Sequence, residues 1–253
     1  MAHSEYSLNT IDYLNRKKPV LNFIVCSYVF CSYLGGILCF LEPNYCFNVL
    51  GVILLTYSLV LSELLTHEFI HGTIFQAMKW NNVGGNIMLW FNGGCYAKFQ
   101  DLAKKHIAHH TERVDFSAFE LAEFVNRMPV VIRSAVLILE WLYFPALAII
   151  LRWYAIAIPF FEPRRQQERG RILFILIIRT ALFTLLGIVS LKALLLYFLS
   201  FVGMMTIERM LDAFQHVYEV FPVGTPLPKR DLNYEQWNTF SLLISKRDRK
   251  SVV

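Results

Sequence analysis

Charge is what this chain has least of. Asp, Glu, Lys and Arg make up 17% of its 253 residues against 56% hydrophobic residues, and with a mean hydropathy of +0.44 that excludes an ordinary soluble domain. Cysteine occurs at Cys26, Cys31, Cys39, Cys46 and Cys95 but never at CxxC spacing, so the five read as small apolar residues and not as ligands or a disulfide framework. There is no Gly-rich dinucleotide fingerprint and no cysteine run for an iron–sulfur cluster. Repeats, low-complexity tracts and flexible linkers are also missing, and one membrane domain over 1–253 is the simplest division. The first apolar run is too long for a signal-peptide core and ends at Leu41-Glu42-Pro43 without a small-residue cleavage pattern, so it is expected to be retained.

What is abundant is uninterrupted apolar sequence. A helix needs roughly 20 such residues to cross a hydrocarbon core, and four stretches qualify: 19–41, 46–65, 171–190 and 192–213. The expectation is an all-α, multi-pass membrane protein with four transmembrane helices, an interfacial helix and a cytoplasmic helical cap. A fifth stretch, 129–162, carries Arg133, Glu140, Pro145, Arg152 and Pro159. A central charge costs on the order of 3 kcal/mol to insert, and Trp141, Tyr143, Trp153 and Tyr154 suit headgroup depth. That stretch is read as interfacial or re-entrant, with a tilted fifth span as the alternative.

Four spans put the N-terminus (1–18), the segment 66–170 and the tail from 214 on one side of the bilayer. Arg16, Lys17 and Lys18 precede the first span, Arg164, Arg165, Arg169 and Arg171 lead into the third, and Lys246, Arg247, Arg249 and Lys250 crowd the tail. The short opposite loops hold only Lys192, so the positive-inside rule assigns the basic side to the cytoplasm. The net charge of +5 therefore reads as topology with some attraction to anionic headgroups, and nucleic acid is not an expected partner.

Six of the seven histidines fall in three groups on that side: His67 and His71; His106, His109 and His110; and His216. If the second helix continues beyond the membrane surface, His67 and His71 lie one turn apart on one face. His106, His109 and His110 repeat the device, with Lys104 and Lys105 marking an aqueous helix. Asp212, one turn before His216, could orient that ring and select its tautomer. Imidazole suits zinc, copper and iron alike, but six histidines exceed the three or four protein ligands of one zinc site, which points to two metals or to spare histidines. A histidine-rich site above apolar helices suggests a water-insoluble substrate and oxygen chemistry.

HEFIHG (67–72), KHIAHH (105–110), DAFQHVYE (212–219) and YEQWNT (234–239) resemble the integral membrane fatty acid desaturase superfamily, which includes hydroxylases and ketolases. The resemblance covers most of the chain and keeps the motifs in family order. It implies a four-helix membrane stalk, a cytoplasmic cap with two irons, molecular oxygen as oxidant, a fatty acyl substrate in the bilayer, and desaturation to a double bond plus water. His67, His71, His106, His109, His110 and His216 would be iron ligands, and Glu68 would support them from behind. Electrons would come from a ferredoxin or a b-type cytochrome with its reductase, steered by Lys104, Lys105 and Arg113. Trp80, Trp90, Phe91 and Tyr96 are candidates for an acyl tunnel. Asn81, Asn82, Gly84, Gly85, Gly93 and Gly94 are expected in turns around it.

The departure from that pattern lies near the end of the chain. In the family, YEQxN is followed by an HxxHH box; here no histidine follows His216. About three expected ligands are missing, which reads as truncation, with carboxylate substitution or lost activity as alternatives. Two other readings compete. HExxH is also a zinc-peptidase signature, with Glu68 as general base and Glu208 or Asp212 as a carboxylate ligand, although that leaves four histidines unexplained. The other is a non-catalytic membrane scaffold retaining a degenerate site.

Overall fold

The structure, a computed structural model, describes residues 19–112 and 121–215. Among these every regular element is helical, without strands: α1 Pro19–Leu41, α2 Tyr45–Ile70, α3 Met78–Asn92, α4 Phe99–Glu112, α5 Leu121–Asn126, α6 Val130–Trp141, α7 Ala146–Phe161, a 3-10 turn Pro163–Glu168, α8 Arg169–Val189 and α9 Leu191–Gln215. Residues Lys18–Thr206 form one compact unit, and α9 continues past it. The chain is an all-α multi-pass membrane protein with four candidate spans, α1, α2, α8 and α9. Phe23, Ile53, Ile177 and Ile188 are more than half exposed on them, as helices require where hydrocarbon is the solvent.

The first two spans form a tight hairpin. Asn44 caps α2 by accepting the Cys46 N–H at 2.8 Å, satisfying one of the donors that a helix start leaves open. A Cβ on Gly51 would lie 2.8 Å from the Gly36 carbonyl oxygen, so the pair lets the backbones approach where lipid supplies no hydrophobic driving force. Ser58 Oγ donates to the Val29 carbonyl at 2.7 Å, and Asn48 donates to the Cys39 and Glu42 carbonyls. Lys192, in the first turn of α9, donates to the Glu42 carbonyl in the turn between α1 and α2. The two short turns thus share one end of the bundle, and the histidine-bearing end of α2 lies at the other.

The fifth apolar stretch is two helices. α6 has 12 residues and α7 has 16, about 18 and 24 Å of rise against a core of roughly 30 Å, so neither is long enough to cross alone. Between them Tyr143 takes a positive φ of 61°, a rare conformation for a bulky side chain. The Glu140 carboxylate accepts the Leu147 N–H at 2.8 Å. The charge that counts against a span is thus occupied at the start of α7, where the helix dipole favours an anion.

α3 corrects the expectation of turns at residues 81–85, while Gly93 and Gly94 do lie in the turn that follows the helix. Asn81, Asn82, Gly84 and Gly85 are helical, and the glycines serve close packing: a Cβ on Gly84 would meet Phe69 at 2.5 Å, and one on Gly85 would meet Phe99 at 2.0 Å. Only Gly93, at φ 81°, ends the helix as a left-handed cap. Trp80 is 57% and Trp90 39% exposed, with Trp90 on an open surface groove beside Lys79 and Asn86, so neither is enclosed by the described residues as a tunnel lining would be. Phe91 instead packs edge-on against Tyr33 at 4.8 Å and Phe30 at 6.1 Å.

The core lies where α2, α3 and α4 meet, around Leu65, Phe69, Ile70, Met88, Leu89 and Phe99, with Val29 and Ile175 closing its sides. Arg171 ties α8 to the approach of α4 by donating to the carbonyls of Cys95, Tyr96 and Ala97 at 2.8–2.9 Å. Hydrogen bonds to charged groups contribute about 1.5–3 kcal/mol each, less where water can substitute. Arg171→Met is expected to cost about 2–4 kcal/mol in thermal unfolding of the detergent-solubilised protein. Arg171→Lys should recover only part, because an ammonium lacks the planar fork; an unchanged unfolding temperature in Arg171→Met would contradict this staple.

Candidate metal centre

α2 runs for 26 residues, about 39 Å at 1.5 Å per residue, so more than one turn is left over after a core of roughly 30 Å. That surplus carries the first histidine pair. The helix ends in a complete Schellman motif: Gly72 N–H donates to the Phe69 carbonyl, Thr73 N–H donates to the Glu68 carbonyl, and Gly72 has φ +68°. His71 is the C-cap, still in right-handed geometry at φ −74°, and so remains one turn above His67.

α4 brings His106 to them. The three ligand nitrogens of His67, His71 and His106 all lie within 4.8 Å of one another, and ring centroids are 4.6 Å apart for His67–His71, 4.6 Å for His67–His106 and 5.0 Å for His71–His106. Among the described residues this is the one group of three potential ligands so close. His71 Nε2 and His106 Nε2 are 3.1 Å apart. Two imidazoles sharing one ion at about 2.0–2.1 Å, at angles near 90–110°, would be separated by about 2.8–3.4 Å, so the residues present fit a transition metal.

The electrostatics suit such a ligand set. Partial burial, reinforced by the neighbouring His67 and opposed by Glu68, holds the His71 pKa below the ordinary imidazole value, favouring the neutral ring, the form that ligates a metal. The Glu68 carboxylate is not a member of the group of ligand atoms. One oxygen lies 3.3 Å from His67 Nδ1, and the other accepts the Thr73 hydroxyl at 2.7 Å. A carboxylate on the far ring nitrogen orients a ligating imidazole and raises its basicity.

The remaining sequence-derived candidates are placed less fully. His109 and His110 lie on α4, three and four residues beyond His106, and Asp212 lies on α9; only their backbones are described. His216, Arg113 and the stretch 234–239 lie outside the described residues. Lys104 and Lys105 are exposed, in keeping with an aqueous helix face. Thr73 went unrecognised in the sequence, although a glycine directly after HExxH marks a helix end and so predicts a bond back from the next residue.

Neither a curated protein nor a solved structure matches the chain. The family model of fatty acid desaturases does, over residues 44–245. That region opens at the N-cap of α2 and takes in both helices that supply the imidazole group. The match covers most of the chain and agrees with four apolar helices and a histidine group formed at the end of α2 and on α4, and the chain therefore belongs to the fatty acid desaturase family.

Proposed function

We propose that this chain is an iron-dependent membrane oxidoreductase that desaturates, or by a closely related reaction hydroxylates, a fatty acyl chain. The observation that carries the reading is the convergence of His67, His71 and His106 from two helices in a chain of this family. These three would hold iron, with His109, His110 and His216 completing a two-iron set as the motifs imply. Bound iron would supply, with molecular oxygen and external electrons, the oxidising power that no protein side chain has toward an unactivated C–H bond.

The chain's own contributions are positional and electrostatic. Glu68 aligns His67 from its Nδ1 side, and Thr73 holds Glu68. The Schellman end of α2 keeps His71 in register with His67. The Phe99 side chain, packed against Gly85, anchors the start of α4 and hence the approach of His106. On this reading Asp212 orients His216, and the site, both termini and the segment 66–170 face the cytoplasm in a single membrane domain.

A zinc-peptidase mechanism would require Glu68 to act as a base on a metal-bound water. Its carboxylate already accepts from Thr73 and sits beside His67 Nδ1, an arrangement that favours orientation over proton abstraction. The deciding experiment is elemental analysis of detergent-purified protein expressed with excess iron, followed by an acyl desaturation assay with a reducing system. About two irons per chain and an unsaturated or hydroxylated product are expected; a single tightly held zinc with proteolysis would overturn the proposal.

Electron delivery supplies a further prediction. Lys104 and Lys105 are exposed on α4, close in sequence to His106, and should steer an acidic donor protein. The double variant Lys104→Gln with Lys105→Gln is expected to slow reduction at low salt by about tenfold and to converge on the native rate at high ionic strength. Equal rates at low salt would remove these lysines from the docking surface.

A further inference from the structure

Two asparagines are among the most deeply buried side chains of the protein. Asn81 and Asn92 are both 0% exposed, and both lie on α3, a helix that carries no histidine. Burying an amide is unfavourable unless its hydrogen bonds are made, so the partners indicate what the residues are for. Asn81 takes both backbone groups of Phe75: its Oδ1 accepts the Phe75 N–H at 2.9 Å and its Nδ2 donates to the Phe75 carbonyl at 2.8 Å. Phe75 stands four residues after His71, so this amide clamps the segment leaving the first histidine pair.

Asn92 does the same at the other end of the helix. Its Nδ2 donates to the Thr66 hydroxyl at 3.2 Å, and its Oδ1 accepts the Gly94 N–H at 2.8 Å. Thr66 directly precedes His67, and Gly94 opens the segment leading to α4 and His106. Thr66 in turn donates to the Ser62 carbonyl at 2.7 Å, so the hydroxyl is held toward the asparagine. An apolar pair could fill the same volume, as Met88 and Leu89 do between them. What apolar side chains lack is direction, and a ligand set needs angular accuracy as well as cohesion.

We propose that Asn81 and Asn92 are positioning residues of the imidazole site, making α3 a splint that sets the segments around His67, His71 and His106 relative to one another. This rests on the reading of those three histidines as metal ligands. They act through backbone and Thr66, without touching the ligand atoms, so a loss of stability alone would not establish the role.

The test uses cobalt(II) as a probe of the imidazoles, independent of iron loading and turnover. The full chain in detergent is titrated with cobalt and followed by visible absorption, alongside thermal unfolding without metal. The variants are Asn81→Leu, Asn92→Leu and the near-isosteric Thr66→Val, with His71→Ala as the control for the site. The expected result is cobalt affinity lowered about tenfold or more in Asn92→Leu and Asn81→Leu, with an altered absorption band, in protein that still unfolds cooperatively above the temperature of the titration. Thr66→Val, which removes one hydroxyl and keeps the packing, should weaken binding in the same direction even if a leucine variant fails to fold. Native affinity and band shape in Thr66→Val and in whichever leucine variants fold would overturn the proposal while leaving the site intact. Cobalt binding that does not depend on His71 would instead overturn the site itself, and its positioning residues with it.

Discussion

Replacing His71 or His106 by alanine is expected to reduce both retained iron and acyl oxidation by more than about 100-fold. Removing groups that merely support a metal ligand costs 10–100-fold, and these variants remove a ligand. The two rings approach to 3.1 Å between Nε2 atoms, so deletion of either breaks the pair that most resembles one edge of a coordination shell. Stability should change little. His71 is exposed, His106 is half-buried, and neither belongs to the apolar core, so the loss would not reflect unfolding. The measurement is iron per chain and product formed, each beside an unfolding curve. Retention of native iron content in both variants would exclude these histidines as ligands and take the central observation of the functional reading with it.

Gly85→Ala should be the most damaging single-atom addition in the fold. The new Cβ would lie 2.0 Å from Phe99 Cε2 and 2.4 Å from Cζ, far inside contact distance, and Phe99 is 1% exposed with no room to retreat. Overpacking a filled core costs typically 1–3 kcal/mol, and a contact this short places the variant at about 3 kcal/mol, above the roughly 1 kcal/mol that alanine gains over glycine in a helix. Because Phe99 opens α4, relief by backbone movement would displace His106, so metal affinity should fall together with stability. Trimming the ring in Gly85→Ala with Phe99→Leu should restore part of both. Gly35 provides the contrast: a Cβ there meets nothing within 4 Å, and Gly35→Ala should raise stability by about 0.5–1 kcal/mol. If the two variants unfold alike, the close packing of α3 against α4 is wrong.

These predictions follow from different levels of the chain. The four spans were legible in the sequence because a helix in lipid satisfies its own backbone and meets hydrocarbon around most of its surface, so local composition suffices. The helices agree to within about five residues at each end: expected spans 46–65 and 171–190 coincide with helices Tyr45–Ile70 and Arg169–Val189. The histidine spacing was legible for the same local reason, since i and i+4 face one way on any helix.

The segment between the histidine helices was not. Asn81, Asn82, Gly84 and Gly85 read as turn formers because their backbone freedom is what sequence patterns record. In the fold it is the missing Cβ of the glycines that matters, and that need arises only once Phe69 and Phe99 arrive from other helices. Trp80 and Trp90 are tunnel candidates by their position between the first two histidine groups, yet which side of α3 faces inward is decided by those glycines and by Asn81 and Asn92, leaving both tryptophans on the outer face.

By itself, then, the sequence determined that this is a helical membrane protein, which residues could bind metal, and which family it resembles, because hydropathy, helical period and motif order are properties of neighbours along the chain. Only the tertiary structure decided that His106 from α4 joins His67 and His71 from α2, that Glu68 is bound to Thr73, and that a histidine-free helix braces the site. Each of those depends on contacts between segments far apart in sequence, whose geometry is set by packing and directional hydrogen bonds that no local pattern encodes.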